Sequence, residues 1–124
     1  VISRFHDAAV RGGGLTIFGD GRQTRDFVFV EDVVDALLAA AARSDGESAG
    51  VLNVCTGRET SILELADHLS ALTGKALDIT HGEVRAGDIR RSAGDPANMI
   101  RALGAGADTP LAAGLKILVE KGGD

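Results

Sequence analysis

The sequence has no tyrosine, no tryptophan and a single cysteine among its 124 residues. A chain without tyrosine cannot itself use a phenol as a general acid or base, so that chemistry is excluded for this polypeptide alone. One cysteine excludes an internal disulfide and fits a reducing compartment, which makes cytoplasmic the expected localisation. Cys55 lies in the apolar run 51–55, and this setting favours a small core residue over a nucleophile.

The sequence gives little support for metal binding, for membrane insertion or for nucleic-acid binding. The histidines lack metal-ligand spacing, so we expect no metal site; they are His6, His68 and His81. No apolar run approaches membrane-spanning length, and the first residues do not form a signal peptide. The net charge of −5 argues against nucleic acids and anionic membranes as main partners. Arginine far outnumbers lysine, which suits phosphate or carboxylate binding, although a GC-rich coding sequence produces the same bias.

Periodicity predicts one α/β domain of short strands and about five helices. The helices are predicted at 1–10, 31–43 and 62–73, then after Asp95-Pro96 to about Gly104 and after Thr109-Pro110 to about Gly122. The strands are predicted at 15–18, 26–30, 51–55 and 76–80, with a surface loop at 44–50. The clearest local signal is the capping box of residues 61–64. The first helix has no start signal, so we expect the sequence to be part of a longer one.

Two loops, 19–26 and 85–88, combine arginine, glycine and a carboxylate. In each loop an arginine stands at the end of regular structure, where a guanidinium can make paired hydrogen bonds to a pyrophosphate. Asp88 could accept hydrogen bonds from sugar hydroxyls. In the alternative interpretation both arginines form surface ion pairs, each worth about 0 to 1 kcal/mol. Those pairs would be Arg25 with Asp26 or Asp20, and Arg85 with Glu83 or Asp88.

A longer motif includes the first of these loops. Residues 15–33 resemble the signature L-T-[IV]-[FY]-G-D-G-x-Q-x-R-D-[FY]-[VI]-x-V-x-D-[VL] of the NAD-dependent epimerase/dehydratase family, which are extended short-chain dehydrogenase/reductases. Further matches follow in family order: 53–57 resembles N-[VIL]-G-x-G, 85–88 resembles R-P-G-D, and 89–95 resembles [IVL]-x-x-[ST]-x-x-D. The chain departs from the family in having Ala86 for proline and Gly104-Ala105 for Gly-Trp. The resemblance covers essentially the whole chain.

The resemblance implies the fold class and the domain organisation. Residues 1–124 are expected to form a single α/β unit, the C-terminal substrate-binding portion of an extended short-chain dehydrogenase/reductase. The N-terminal dinucleotide-binding Rossmann domain and the Tyr-x-x-x-Lys pair of the family are absent from this sequence. We therefore expect no catalytic residue and no cofactor bound by this chain alone, with NAD as the cofactor of the parent family. Whether the chain by itself is an enzyme stays open.

The resemblance also implies six substrate-binding residues. They are Arg25 and Arg85 at the diphosphate, Asp88 near the ribose, Thr16 and Phe18 through their backbone at the base, and Asn53 at a phosphate. For Asn53, a backbone hydrogen bond at a strand end is the alternative.

The implied function is a nucleotide-sugar (UDP-sugar-like) binding region that anchors the diphosphate while another part of the enzyme carries out hydride and proton transfer. The alternatives are a free-standing binding module and an inert remnant. The expected partners are a nucleotide-diphosphate sugar and a complementing dinucleotide-binding domain. Self-association is the other expectation, through exposed apolar residues Val28, Val30 and Leu52.

Overall fold

A computed structural model describes residues 1–43 and 50–121 of the chain. The described helices are α1 (Ile2–Arg11), α2 (Val30–Ala42), α3 (Ile62–Thr73), α4 (Ala97–Leu103) and α5 (Leu111–Lys121). The described strands are β1 (Gly14–Phe18), β2 (Thr24–Arg25), β3 (Thr60–Ser61) and β4 (Asp78–Gly82). The α/β class and the five predicted helices are confirmed.

Two small sheets organise the fold. β1 and β4 pair in parallel, with Leu15 opposite Ile79 and Phe18 opposite Gly82. β2 and β3 form an antiparallel pair of two residues each. Because parallel strands cannot be joined by a tight turn, the chain between β1 and β4 has room for two helices, α2 and α3. This crossover brings residues of the two arginine loops to the same end of the β1–β4 sheet.

The main core lies between β1 and three helices. Side chains from α1, α3 and α5 pack on one face of β1, and the buried residues are Phe5, Ala9, Leu15, Ile17, Ile62, Leu65, Ala66, Leu69 and Leu115. A smaller cluster of Ala36, Met99 and Ala107 joins α2 to α4. Aliphatic side chains dominate, as the low aromatic content predicts, and burial of this surface is the main stabilising contribution.

Local end signals decide where the helices begin and end. Ser61 Oγ accepts a hydrogen bond from Glu64 N at 3.1 Å, and Glu64 Oε2 accepts one from Ser61 N at 2.7 Å, which confirms the capping box. Gly74 ends α3 in the left-handed conformation with φ of 67°. Before α4, Asp95 Oδ1 accepts from Ala97 N at 2.9 Å.

Two predicted strands are wrong. Residues 26–29 form no strand and have no strand partner among the described residues, and Val30 already begins α2. Residues 51–55 likewise form no strand, and Val51 is 94% exposed. Both runs are rich in β-branched residues, but β-propensity produces a strand only where a neighbouring strand is available, and each described sheet has two strands. The strand predicted at 76–80 instead covers Asp78–Gly82, and the pair of β2 and β3 is missed.

Several smaller expectations can also be compared with the structure. Cys55 is buried, as predicted for a core residue; burial and the charges of Asp26 and Asp95 raise the pKa of its thiol. Val30 is exposed, but Val28 and Leu52 are half-buried, and Val28 packs against the smaller core cluster. The loop predicted at 44–50 and the end of the last helix at Gly122 lie largely outside the described residues.

Candidate functional site

A cavity of about 420 Å³ opens where α1, β1, the start of α3 and the loop after β4 meet. It is lined by Val1, Arg4, Phe5, Leu15, Thr16, Ile17, Phe18, Gln23, Arg25, Ile62, Arg85, Ala86, Gly87 and Asp88. Five of the six predicted binding residues are in this set. The fold therefore brings together side chains from distant parts of the sequence, from Val1 to Asp88.

The open edge of β1 forms one wall of this cavity. Successive N–H groups of a strand point to opposite sides, and Gly19 N donates to Gly82 O of β4 at 2.9 Å. The backbone groups of Thr16 and Phe18 therefore point away from β4. Phe18 O accepts from Gln23 Nε2 at 3.0 Å on this open side. The open edge thus offers two backbone donors, the N–H groups of Thr16 and Phe18, and one acceptor, the C=O of Thr16. The edge of a planar ring can form hydrogen bonds with these groups.

Arg25 is held by oxygen atoms of two chain segments. Its Nη1 donates to Thr24 O and to Ile89 O, both at 2.7 Å, and its Nη2 donates to Asp88 Oδ1 at 2.6 Å. The side chains of Arg25 and Asp88 are 27% and 30% exposed, so this ion pair is partly shielded from water. The guanidinium consequently occupies a defined position in the wall of the cavity.

Arg85 stands over an aromatic ring. Its Cζ lies 3.7 Å from the centroid of the Phe18 ring, a cation–π contact. Asp88 N donates to Arg85 O at 3.1 Å, and Gly87 has φ of 80°, so residues 85–88 form a turn that needs glycine at its third position. Ala86 occupies the second position, where proline is favoured in such turns. The turn places Arg85 and Asp88 on the same cavity.

The ion pairs of the alternative interpretation are not the ones that form. Arg25 pairs with Asp88 rather than with Asp26 or Asp20. Asp20 pairs instead with Arg90, through contacts of 2.7 and 3.0 Å. The parallel pairing of β1 and β4 decides these partners, because it brings the loops after both strands side by side, and this pairing is not visible in local sequence.

Asp26 anchors the strand that carries Arg25. Its carboxylate accepts from Thr56 Oγ1 at 2.6 Å, from the backbone N of Thr56 and Gly57 at 3.1 and 2.9 Å, and from Gly94 N at 3.3 Å. Partial burial alone would raise the pKa of this carboxyl, but the hydrogen bonds from Thr56, Gly57 and Gly94 outweigh it and lower the pKa. Asp26 therefore stays ionised and ties three segments together beside the cavity.

Two exposed ion pairs connect the segment after the 85–88 turn to the loop after β1 and to the residue before β3. Arg91 makes a bidentate contact to Glu59, whose Oε2 also accepts from Thr24 Oγ1 at 2.7 Å. The Arg91 and Thr24 hydrogen bonds lower the pKa of Glu59 to about 2. Arg90 and the backbone N of Arg22 lower the pKa of Asp20 to about 2 in the same way. Thr24 N also donates to Arg90 O at 2.9 Å.

One predicted residue lies elsewhere, and two polar side chains that line the cavity, Gln23 and Arg4, were not predicted. Asn53 does not line the cavity; its backbone oxygen accepts from Cys55 Sγ at 3.7 Å. Gln23 is the glutamine of the quoted motif, so the motif itself could have indicated it. In the structure its side chain is buried. Arg4 adds a third guanidinium to the cavity because α1 packs beside β1, and no local pattern in the sequence indicates this position.

The described residues contain no group of three or more side chains suited to hold a metal ion. Among these residues, likewise, no helix is long and apolar enough to cross a membrane. Both findings apply to residues 1–43 and 50–121.

Comparison with known proteins shows what the chain is similar to. Residues 1–55 match the model of the NAD-dependent epimerase/dehydratase family. The chain is 38% identical to the UDP-glucose 4-epimerase of Mycolicibacterium smegmatis over 97% of its own length. A solved structure of MoeE5 in complex with UDP-glucuronic acid and NAD is 40% identical over 96% of the chain, with a TM-score of 0.89. The chain is therefore similar to the NAD-dependent epimerase/dehydratase family over its first 55 residues, and to relatives with UDP-sugar activities over most of its length.

This similarity confirms the predicted family resemblance and the predicted fold class. Another solved structure, UDP-glucose 4-epimerase from Thermotoga maritima with UDP-glucose, is 37% identical over 96% of the chain, with a TM-score of 0.87. The chain covers 38% of the M. smegmatis protein, 40% of MoeE5 and 38% of the Thermotoga protein. It therefore spans about two-fifths of the length of these three relatives.

Proposed function

We propose that this chain is the part of a family enzyme that binds a nucleotide-diphosphate sugar and anchors its diphosphate. The observation that carries the proposal is the convergence of Arg4, Arg25 and Arg85 on one cavity that also holds the open edge of β1. A cavity of about 420 Å³ is within the usual range for small-molecule sites. The relatives support a UDP-sugar as the ligand class, since MoeE5 was solved with UDP-glucuronic acid and with UDP-glucose.

Charge favours an anionic ligand at this cavity. Three guanidinium groups and one carboxylate, Asp88, line it, although the whole chain carries a formal charge of −5. Guanidinium groups form paired hydrogen bonds to phosphate oxygens, and a partly enclosed site strengthens such contacts relative to open water. The diphosphate would lie against Arg25 and Arg85, and the base would pair with the backbone of Thr16 and Phe18.

The described residues do not fit an NAD site. Such a site needs a glycine-rich turn that leads from a strand into the start of a helix. Here β3 continues directly into α3 without a glycine, and the glycines after β1 lead into β2. We therefore assign no step of hydride transfer to these residues, and the dinucleotide chemistry of the family would need residues beyond those described.

The surface of α2 supports a second part of the proposal, which concerns the partner. Val30, Val34, Leu37 and Leu38 form an apolar face that is 46–65% exposed, and α2 packs mainly on α4. We call these four residues the α2 apolar face. The relatives carry about three-fifths of their length outside the matched region, and several were solved with NAD. We infer that the dinucleotide-binding part of the family fold packs against the α2 apolar face.

Calorimetric titration of the chain with UDP and UDP-glucose tests the binding proposal. We expect weak binding of both ligands by the wild-type chain. Arg25→Ala should lower the affinity by at least about tenfold, because it removes the charged guanidinium that forms hydrogen bonds to the diphosphate. Arg11→Ala is the matched control, since Arg11 is exposed at the far end of α1. No heat with millimolar ligand would refute the proposal and favour an inert remnant.

A further inference from the structure

The side-chain amide of Gln23 lies against the end of the open edge of β1. Its Nε2 donates to Phe18 O at 3.0 Å, and the residue is 9% exposed. The backbone of Gln23 is fixed as well, because Gln23 O accepts from Ile62 N at 3.1 Å at the start of α3. Gln23 also lines the cavity in which the proposed function places a nucleotide. A buried amide therefore holds a defined position beside the backbone groups that would pair with the base.

This contact removes one acceptor from the open edge of β1. The backbone groups of Thr16 and Phe18 point away from β4, so each residue turns one N–H group and one C=O group to the open side. Phe18 O is bonded to the Gln23 amide on that side. The edge therefore keeps two donors, the N–H groups of Thr16 and Phe18, and one acceptor, Thr16 O.

Pyrimidine bases differ in the groups that such an edge must supply. Uracil has an N–H group between two carbonyl oxygens, so it needs one acceptor with a donor beside it, and Thr16 O with the Phe18 N–H group matches this pattern. Cytosine has a ring nitrogen that accepts and an amino group that donates. If the Phe18 N–H group bonds to that ring nitrogen, the amino group needs the next acceptor along the edge, which is Phe18 O. The Gln23 amide already occupies that oxygen.

We propose that Gln23 is a positioning residue that selects a base with a carbonyl group, rather than an amino group, beside Phe18. It acts through Phe18, because its amide occupies the acceptor that an amino group would use and leaves the Phe18 N–H group for a carbonyl oxygen. Gln23 thus favours uracil or thymine nucleotides over cytosine nucleotides. This inference rests on the proposed function, because it presumes that a nucleotide base pairs with the open edge of β1.

Calorimetric titration of the full chain with UDP and with CDP tests this inference, because the two nucleotides differ only in the pairing edge of the base. The readout is the ratio of the two dissociation constants, which a general loss of binding does not change. We expect the wild-type chain to prefer UDP by about tenfold or more. Gln23→Met keeps the length of the side chain but cannot donate to Phe18 O. It should lower the preference at least about fivefold, mainly by tightening CDP.

Two further variants make the result specific. Gln23→Glu replaces the donor with a carboxylate acceptor of the same shape, so it should also lower the preference for UDP, here with a polar side chain in place. Thr73→Val is the matched control, because Thr73 Oγ1 donates to Leu69 O at 2.9 Å at the end of α3, and Thr73 does not line the cavity. This control also removes a bond from a side chain to a backbone oxygen, and it should leave the preference unchanged.

The outcomes separate this inference from the proposed function. If the wild-type chain binds UDP and CDP equally, or if both Gln23 variants weaken the two nucleotides by the same factor, the inference is overturned while the proposed function stands. An equal fall in the preference for Thr73→Val would also overturn it, because the effect would not depend on Phe18 O. If the wild-type chain binds neither nucleotide, the proposed function fails and this inference fails with it.

Discussion

At the scale of single residues, Asp26 is a carboxylate that joins three segments of the chain beside the cavity. It is adjacent to Arg25 in sequence, and the simplest interpretation of that adjacency is an ion pair between the two. In the structure Asp26 accepts four hydrogen bonds, from Thr56, Gly57 and Gly94. Arg25 forms its ion pair with Asp88 instead. Asp26 therefore supports the site through the backbone, by joining β2 to two loops that have no regular structure of their own.

Neutralising Asp26 should destabilise the fold. In Asp26→Asn, the new amide N–H group would face the backbone N–H groups of Gly57 and Gly94, so at least one hydrogen bond is lost and a donor is left unpaired. We expect the free energy of unfolding in urea to fall by about 2 kcal/mol. Asp35→Asn, an exposed position on α2, should change it by less than about 0.5 kcal/mol. Equal effects of the two substitutions would show that the Asp26 network contributes nothing to stability.

Residue identities at the cavity could be predicted from sequence, but their pairing could not. The motif placed Thr16, Phe18, Arg25, Arg85 and Asp88 in one site, and all five line the cavity. The contact of Arg25 with Asp88 joins positions that are 63 residues apart, and it depends on the parallel register of β1 and β4. Arg4 entered the cavity through helix packing, which leaves no mark in the neighbouring sequence.

At the scale of elements, the segment between β4 and α4 is held by side chains rather than by a backbone ladder. Arg90 contacts Asp20 in the loop after β1, and Arg91 contacts Glu59 just before β3. Exposed ion pairs contribute little individually, but these two pairs and the hydrogen bond from Arg25 to Ile89 O act on one short stretch. They fix the turn that presents Arg85 and Asp88.

The two ion pairs predict a specific acid response. The folded-state pKa values of Asp20 and Glu59 are lowered to about 2 from ordinary values of 3.8 and 4.5. A lowered pKa stabilises the fold above the ordinary value, and this contribution is lost as the pH falls from about 4.5 towards 2. In carboxyl-carbon NMR titrations we expect Glu59 to titrate near pH 2, and Arg91→Gln should return its midpoint towards 4.5.

Arg11→Gln removes the same charge far from Glu59 and should leave this midpoint where it is. A wild-type Glu59 that titrates near its ordinary value of 4.5 would mean that the contact with Arg91 does not persist in solution.

Helices were easier to predict than strands for a physical reason. A helix end is decided within four residues, and the reciprocal bonds of Ser61 and Glu64 form as the sequence alone indicates. A strand needs a partner from elsewhere in the chain. The apolar runs at 26–30 and 51–55 lack such a partner among the described residues, whereas the two-residue strands β2 and β3 pair although neither has a recognisable pattern.

At the scale of the whole molecule, burial is uneven. β1 and the helices α1, α3 and α5 enclose one core, but α2 contributes a single buried residue, Ala36, and leaves its apolar face largely exposed to water. The sequence predicted exposed apolar surface, although it assigned that surface to Val28 and Leu52 as well as Val30. The helical register of α2 decides the actual residues, since Val30, Val34, Leu37 and Leu38 recur at three- and four-residue steps.

The α2 apolar face predicts that the isolated chain self-associates. Without the dinucleotide-binding part of the family fold, the surface that can bury this face is a second copy of the chain, and apolar area removed from water contributes about 25 cal/mol per Å². Static light scattering should give an average mass that rises above 12.7 kDa as the concentration increases.

The double substitution Leu37→Gln and Leu38→Gln should bring the mass back to the monomer value while leaving the circular dichroism of the fold unchanged. Leu72→Gln, on the exposed side of α3, is the matched control and should not prevent association. A wild-type chain that stays monomeric at millimolar concentration would mean that exposed leucines on α2 are tolerated in water, and the case for a partner at this face would then rest on the length of the relatives alone.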